Sequence, residues 1–370
     1  MMNWKSFLLA VPLVAGITFN PAQAGLGEPN PPKVFVGYVF GPSRGIDYKL
    51  YTHLAHAFAT VDVEGKIPPN PNVPSRTLTT EAHEHNVQVL ISLGGWGYDK
   101  QFAEVATHPE AEDRYVAGVL KLVDDYDYDG IDFDWEYPDT DAEVVGFERM
   151  TRKFRAGVDA IGQRKHRTMR ITMAMSSNNG TIRWLKTDFL VETMDWINVM
   201  TYDYTGDWAD YAGHQSPLYG SSKQPGTKKR STVATLEHLL NDRKVPPDRL
   251  ALGIPLYGRG FPVAEPYASI KDLPKKRSFS ANYTKVAEHL AQGWTRTWDD
   301  ETKNPWITAP DKSAILGYDD AESVTLKTDW ATKHNLRGVF FWQIAADRMP
   351  DGTHPLQEAS RKAWDARQKP

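Results

Sequence analysis

Residues 129–138 read DGIDFDWEYP, so Asp129, Asp132, Asp134 and Glu136 put four carboxyl groups into eight consecutive positions. An extended chain alternates its side chains. Asp132, Asp134 and Glu136 therefore share one face, and Ile131, Phe133 and Trp135 share the other. Same-face neighbours in a strand sit about 6 to 7 Å apart at Cα, so these acids cannot all ionise cheaply and at least one holds a proton near neutral pH. A protonated carboxyl beside ionised ones is the equipment of general acid catalysis, and Glu136 is the outermost of the three. Two competing readings are a solvated acidic strand end and a hard-cation site. The first does not explain a face that is acidic throughout. The second needs ligands wrapped around an ion, which one strand cannot supply, and no histidine lies near the motif. No metal is expected.

Such a strand needs neighbours to hold it. Apolar runs rich in Val, Ile, Phe and Met recur at 33–40, 53–61, 87–95, 128–136, 170–176, 195–203, 250–258 and 336–344. Segments of helical periodicity, such as RYVAGVLKLVDDY and VVGFERMTRKFRAGVDAIG, lie between most of them. Eight strands alternating with helices predict an α/β fold, a (β/α)8 TIM barrel, whose parallel strands are apolar because both faces are covered. A doubly wound open sheet is the alternative, but the first strand-to-helix turn, GYVFGPSRG, lacks the G-x-G-x-x-G phosphate fingerprint. The gap of roughly 80 residues between the seventh and eighth runs is too long for one helix and loop. It predicts a small α+β insertion at 262–317, between barrel segments 25–261 and 318–370.

Residues 1–24 place Lys5 before an apolar run and end in Ala22-Gln23-Ala24, the pattern of a signal peptide cleaved after Ala24. That run is too short to span a bilayer comfortably. The chain has no cysteine and a formal net charge of -4. Disulfides and lipobox-type anchoring are excluded, and no polybasic surface suggests nucleic acid or membrane as partner. The expectation is a secreted or periplasmic protein of bacterial type.

The motif DGIDFDWE resembles the D-x-x-D-x-D-x-E signature of family 18 glycoside hydrolases, the chitinase family, whose members carry it on the fourth strand of a (β/α)8 barrel. Ser92-Leu93-Gly94-Gly95-Trp96 resembles the family's S-x-G-G segment, Met200-Thr201-Tyr202-Asp203 its M-x-Y-D segment, and Trp342 in GVFFWQ its eighth-strand tryptophan. The inserted segment is similar to the α+β insertion of the longer chitinases, and the resemblance covers about residues 33–367.

The resemblance implies a retaining, substrate-assisted mechanism in which the 2-acetamido carbonyl of the substrate is the nucleophile. It implies that Glu136 is the general acid and base, that Asp134 holds the acetamido N–H, that Asp132 shares a proton with Asp134, and that Tyr202 bonds the acetamido oxygen. It makes Asp203 a substrate contact. Trp342 becomes the floor of the cleaved sugar's subsite and Trp96 a platform on the leaving-group side. Tyr38, Phe58, Tyr137, Met200, Tyr257 and Arg259 fall at strand ends matching the family's cleft, while Asp129, Gly94 and Gly95 match structural positions of its motifs. The implied substrate is chitin or chitooligosaccharide, cleaved without a cofactor by a monomer. An endo-β-N-acetylglucosaminidase acting on N-glycans uses the same acidic motif. A non-catalytic lectin on the same barrel is the third reading, but lectins of that type have lost the equivalent of Glu136.

Overall fold

The computed structural model describes residues 32–227, 229–273 and 278–367. The segment read as a signal peptide, residues 1–24, lies outside them. All eight apolar runs form parallel strands: β1 (Val34–Phe40), β2 (His53–Ala59), β3 (Gln88–Gly94), β4 (Gly130–Asp134), β5 (Arg170–Met175), β6 (Trp196–Val199), β7 (Leu250–Pro255) and, after an insertion, the strand Gly338–Trp342. These close into a barrel, as the alternation of strand and helix predicts. Ser92, Asp132 and Thr172 are register partners across β3, β4 and β5.

Parity on β4 falls as expected. Ile131, Phe133 and Trp135 enter the layer between strands and helices. Phe133 meets Phe147 and Phe154 edge-on at 5.3 and 5.5 Å, and Trp135 stacks on Phe102 at 5.6 Å. Each such side chain contributes roughly 1.5–3 kcal/mol on burial. Phe147 and Phe154 lie on the helix Asp141–Lys165, whose start is fixed by Thr140 accepting from the Glu143 amide. Asp141 and Glu143 fall in its first turn and Arg164 and Lys165 in its last, matching the helix dipole. Asp129 sits at the opposite end of the barrel from Glu136, where it accepts from the Val89 amide at 2.7 Å and pairs with Arg167 at 3.1 Å.

The insertion is a five-stranded antiparallel sheet built from β8 (Tyr257–Phe261), β9 (Phe279–Asn282), β10 (Thr295–Asp299), β11 (Asn304–Thr308) and β12 (Ile315–Gly317). The last barrel strand is thus β13 (Gly338–Trp342). Only Leu256 separates β7 from β8, so the sheet starts upstream of residue 262 and places Tyr257 and Arg259 beside the barrel mouth. One face packs Val286, from the helix Tyr283–Ala291, against Ile307, Leu316 and Tyr318.

A buried ion pair ties the insertion to the barrel. Lys327, fully enclosed on the helix Ala321–Lys333, donates to both Asp319 oxygens at 2.6 and 2.7 Å and to Ser216 Oγ at 2.9 Å. Asp319 also accepts from Asn304 and Ser323. Removing one partner leaves the other charged and enclosed, so Lys327→Met should cost about 3–5 kcal/mol in urea unfolding. The double variant Lys327→Met/Asp319→Asn should recover part of that loss; equal stability of the single variant and wild type would contradict this view of the junction.

Among the described residues no helix is long and apolar enough to cross a membrane.

Candidate active site

The strand ends at the C-terminal mouth carry the side chains singled out in the sequence. Deepest is Asp132, fully buried. Its Oδ2 accepts from Tyr38 Oη and Ser92 Oγ, both at 2.8 Å, and its Oδ1 from Thr172 Oγ1 and from Asn198 Nδ2 at 3.3 Å. Donors from β1, β3, β5 and β6 thus converge on one carboxyl. Burial raises its pKa, and these four hydrogen bonds offset part of that rise. Asn198 also donates to Tyr38 Oη at 3.1 Å and accepts from Trp196 Nε1 at 3.0 Å, which fixes the orientation of its amide. No hydrogen bond joins Asp132 to Asp134 among the described residues, so the expected shared proton has no direct contact here.

Asp134, two residues on and 4 % exposed, has a buried Oδ1 with no hydrogen-bond partner. Burial first, then the charges of Glu136 and Asp132, push its carboxyl well above the usual range. Glu136 lies past the end of β4 and accepts from Tyr137 Oη at 2.8 Å. Burial raises its pKa to about 7; the Tyr137 hydrogen bond opposes that shift and the Asp203 charge adds to it. Burial and mutual charge thus raise the carboxyl pKa values along the row, that of Glu136 to about 7.

Aromatic rings wall the acids. Trp342 stacks on Phe58 at 5.6 Å with 24° between planes, and meets Tyr38 at 5.6 Å and Phe40 at 5.7 Å. Met200 and Phe58 pack on the same buried cluster, which includes Tyr38 and Tyr202. The Tyr202 ring lies 6.3 Å from that of Tyr257 and 6.0 Å from that of Phe340. Asp203 takes a left-handed conformation, φ +56°, and its carboxylate is paired with Arg259. The Arg259 guanidinium also lies over the Trp208 ring, 5.2 Å from its centroid.

Gly94 and Gly95 let this wall close. A Cβ on Gly94, at φ +118°, would stand 2.3 Å from the Asp134 carbonyl oxygen, and one on Gly95 would strike the Phe58 ring at 2.7 Å. Trp96 follows them and is 81 % exposed at the rim, apart from the ring cluster.

A model of the family described as Glycosyl hydrolases family 18 matches residues 34–347. The chain belongs to that family. It is 26% identical over 340 residues to the Class V chitinase of Arabidopsis thaliana, covering 88% of this chain and 87% of that one. It is 27% identical over 287 residues to Chitinase A1 of Niallia circulans, where the match spans 71% of this chain and 41% of the relative. The chain thus spans less than half the length of that relative. In structure it is similar to the Group IV chitinase of Ostrinia furnacalis, with a TM-score of 0.79 and 25% identity over 90% of this chain and 100% of that one.

Sequence reasoning named Tyr38 and, within the S-x-G-G segment, Ser92, but missed Thr172 and Asn198 and the outer residues Phe40 and Trp208. Ser92, Thr172 and Asn198 each interrupt an apolar run with a polar residue on the inward parity, a signal readable in sequence. Phe40, 52 % exposed, is the last residue of β1, and Trp208, 59 % exposed, lies in the loop after β6, where periodicity stops.

Proposed function

We propose that the chain is a chitinase, cleaving β-1,4 bonds between N-acetylglucosamine units with retention and with the substrate's acetamido group as nucleophile. The observation that carries this reading is the row itself: Glu136 held near a pKa of 7, two residues from a buried Asp134 oxygen without a donor, with Trp342 and Phe58 stacked at the ends of neighbouring barrel strands. Pyranose C–H faces lie flat on such rings, while their N–H and O–H groups seek acceptors.

In this reading Glu136 gives its proton to the glycosidic oxygen as the acetamido carbonyl oxygen bonds to the anomeric carbon, and the leaving sugar departs as an alcohol. The acetamido N–H satisfies Asp134 Oδ1, and the developing positive charge on the oxazolinium ring favours the ionised form of Asp134, whose proton passes to Asp132. Tyr202 donates to the acetamido oxygen. The Glu136 carboxylate then deprotonates a water that attacks the same face the leaving group left. The pairing of Asp203 with Arg259 speaks against Asp203 as a covalent nucleophile. A polymer substrate cannot enter a cell, which fits export through residues 1–24.

The test is release of reducing ends from chitooligosaccharides of graded length by the mature chain, with an N-glycan substrate alongside. Cleavage of the N-glycan alone would favour the endo-β-N-acetylglucosaminidase reading, and binding of either without cleavage the lectin. The acid must be protonated to act, so kcat/KM should fall as pH rises through about 7, the pKa of Glu136. Asp203→Asn removes a charge that raises that pKa and should move the falling limb to lower pH. A rate still flat at pH 9 would contradict the assignment.

A further inference from the structure

Beyond the residues that face substrate, a single buried amide joins the two pieces of chain that form one side of the cleft. Gln215 is 1 % exposed. Its Nε2 donates to the Tyr257 carbonyl at 2.6 Å, and its Oε1 accepts from the Asp203 amide at 3.3 Å. Its own carbonyl accepts from the Tyr204 amide at 3.0 Å. The neighbours of Gln215 tie the same short stretch down: Ser216 Oγ donates to the Thr201 carbonyl at 2.7 Å, Thr205 Oγ1 donates to the Gly213 carbonyl at 2.7 Å, and the His214 ring lies 4.0 Å from Trp306 of the insertion. Residues 213–216 thus touch the end of β6 on one side and the insertion on the other.

We propose that Gln215 is a positioning residue that fixes the Tyr202–Asp203 corner against the Tyr257–Arg259 edge of the cleft. The assignment of a catalytic effect rests on the reaction proposed above. Asp203 turns through a left-handed conformation directly after Tyr202, so its amide must find an acceptor away from the strand ladder. Gln215 supplies that acceptor and, with the other end of the same group, a donor to the first residue of β8. The Arg259–Asp203 pair joins the two side chains, whereas the amide joins the two backbones, and backbone placement decides where the Tyr202 hydroxyl points.

The test compares wild type with Gln215→Met, which keeps length and loses both hydrogen bonds, and with Gln215→Asn, which keeps an amide too short to span the gap. On a chitooligosaccharide of uniform length, kcat should fall about tenfold to a hundredfold, the effect of a displacement near 1 Å at a reacting centre, while KM changes less than about threefold. Crystal structures of the variants should show the Tyr202 hydroxyl and the Asp203 backbone moved by about 0.5 Å or more. If the methionine variant does not fold, the asparagine variant gives both readings. A lower melting temperature with kcat and KM unchanged, or an unmoved corner, overturns the proposal. If wild type cleaves no chitooligosaccharide, the reaction reading fails, and the displacement in the crystal still decides whether Gln215 positions the corner.

Discussion

Glu136→Gln should lower kcat on chitooligosaccharides by on the order of 10³-fold while leaving fold and binding in place, because loss of a general acid removes about 10² to 10⁴ in rate. Glutamine matches the shape of the protonated acid and still accepts from Tyr137 Oη, which at present lies 2.8 Å from Glu136. Nothing in the core depends on a charge at this position, since the carboxyl holds its proton up to about pH 7. Release of reducing ends measures the rate, and thermal unfolding checks the fold. A variant within tenfold of wild type would remove Glu136 from the chemistry.

The second large effect is at Asp134. Asp134→Asn keeps an oxygen that can accept an acetamido N–H but loses the negative charge that balances the oxazolinium, so kcat should fall about 10²- to 10³-fold. Stability should move the other way. Burial and the neighbouring acids raise the folded-state pKa of Asp134, so above the unfolded value of about 3.9 the native state carries the cost of keeping that group protonated. Asparagine has no such cost. The variant should therefore gain in melting temperature over wild type at pH 7, and the gain should disappear as pH falls below about 4. Near wild-type activity, or a gain that is independent of pH, would contradict this account of the row.

The eight barrel strands were legible because each is covered on both faces and reads as an apolar run bounded by turn residues. The acidic row was legible for the opposite reason: polar residues on a single parity of such a run have to be explained. The partners of Asp132 were harder. Ser92 and Thr172 are readable as inward polar residues, but that they face Asp132 depends on the alignment of β3, β4 and β5, and register across parallel strands joined by helices leaves no local trace in sequence. The start of the insertion was hidden in the same way. In the run LALGIPLYG the apolar pattern continues past Pro255, which ends β7, and Tyr257–Phe261 leaves the barrel because it pairs with β12 and β9, whose positions are far along the chain. Gln215 lies in a loop with no periodicity, so its role depends wholly on which backbones the fold brings to either end of its amide. Trp96 stands out in sequence only through the S-x-G-G segment it follows, because an exposed rim residue belongs to no apolar run.

The most direct test of the central claim follows the anomeric protons of the first products by NMR as the mature chain cleaves a chitooligosaccharide. Attack by the acetamido oxygen followed by water from the opposite direction predicts a first product that is almost wholly the β-anomer, turning to the equilibrium mixture only by mutarotation. A first product of α configuration would mean that water displaces the leaving group directly, and would contradict the substrate-assisted mechanism built on Glu136 and Asp134.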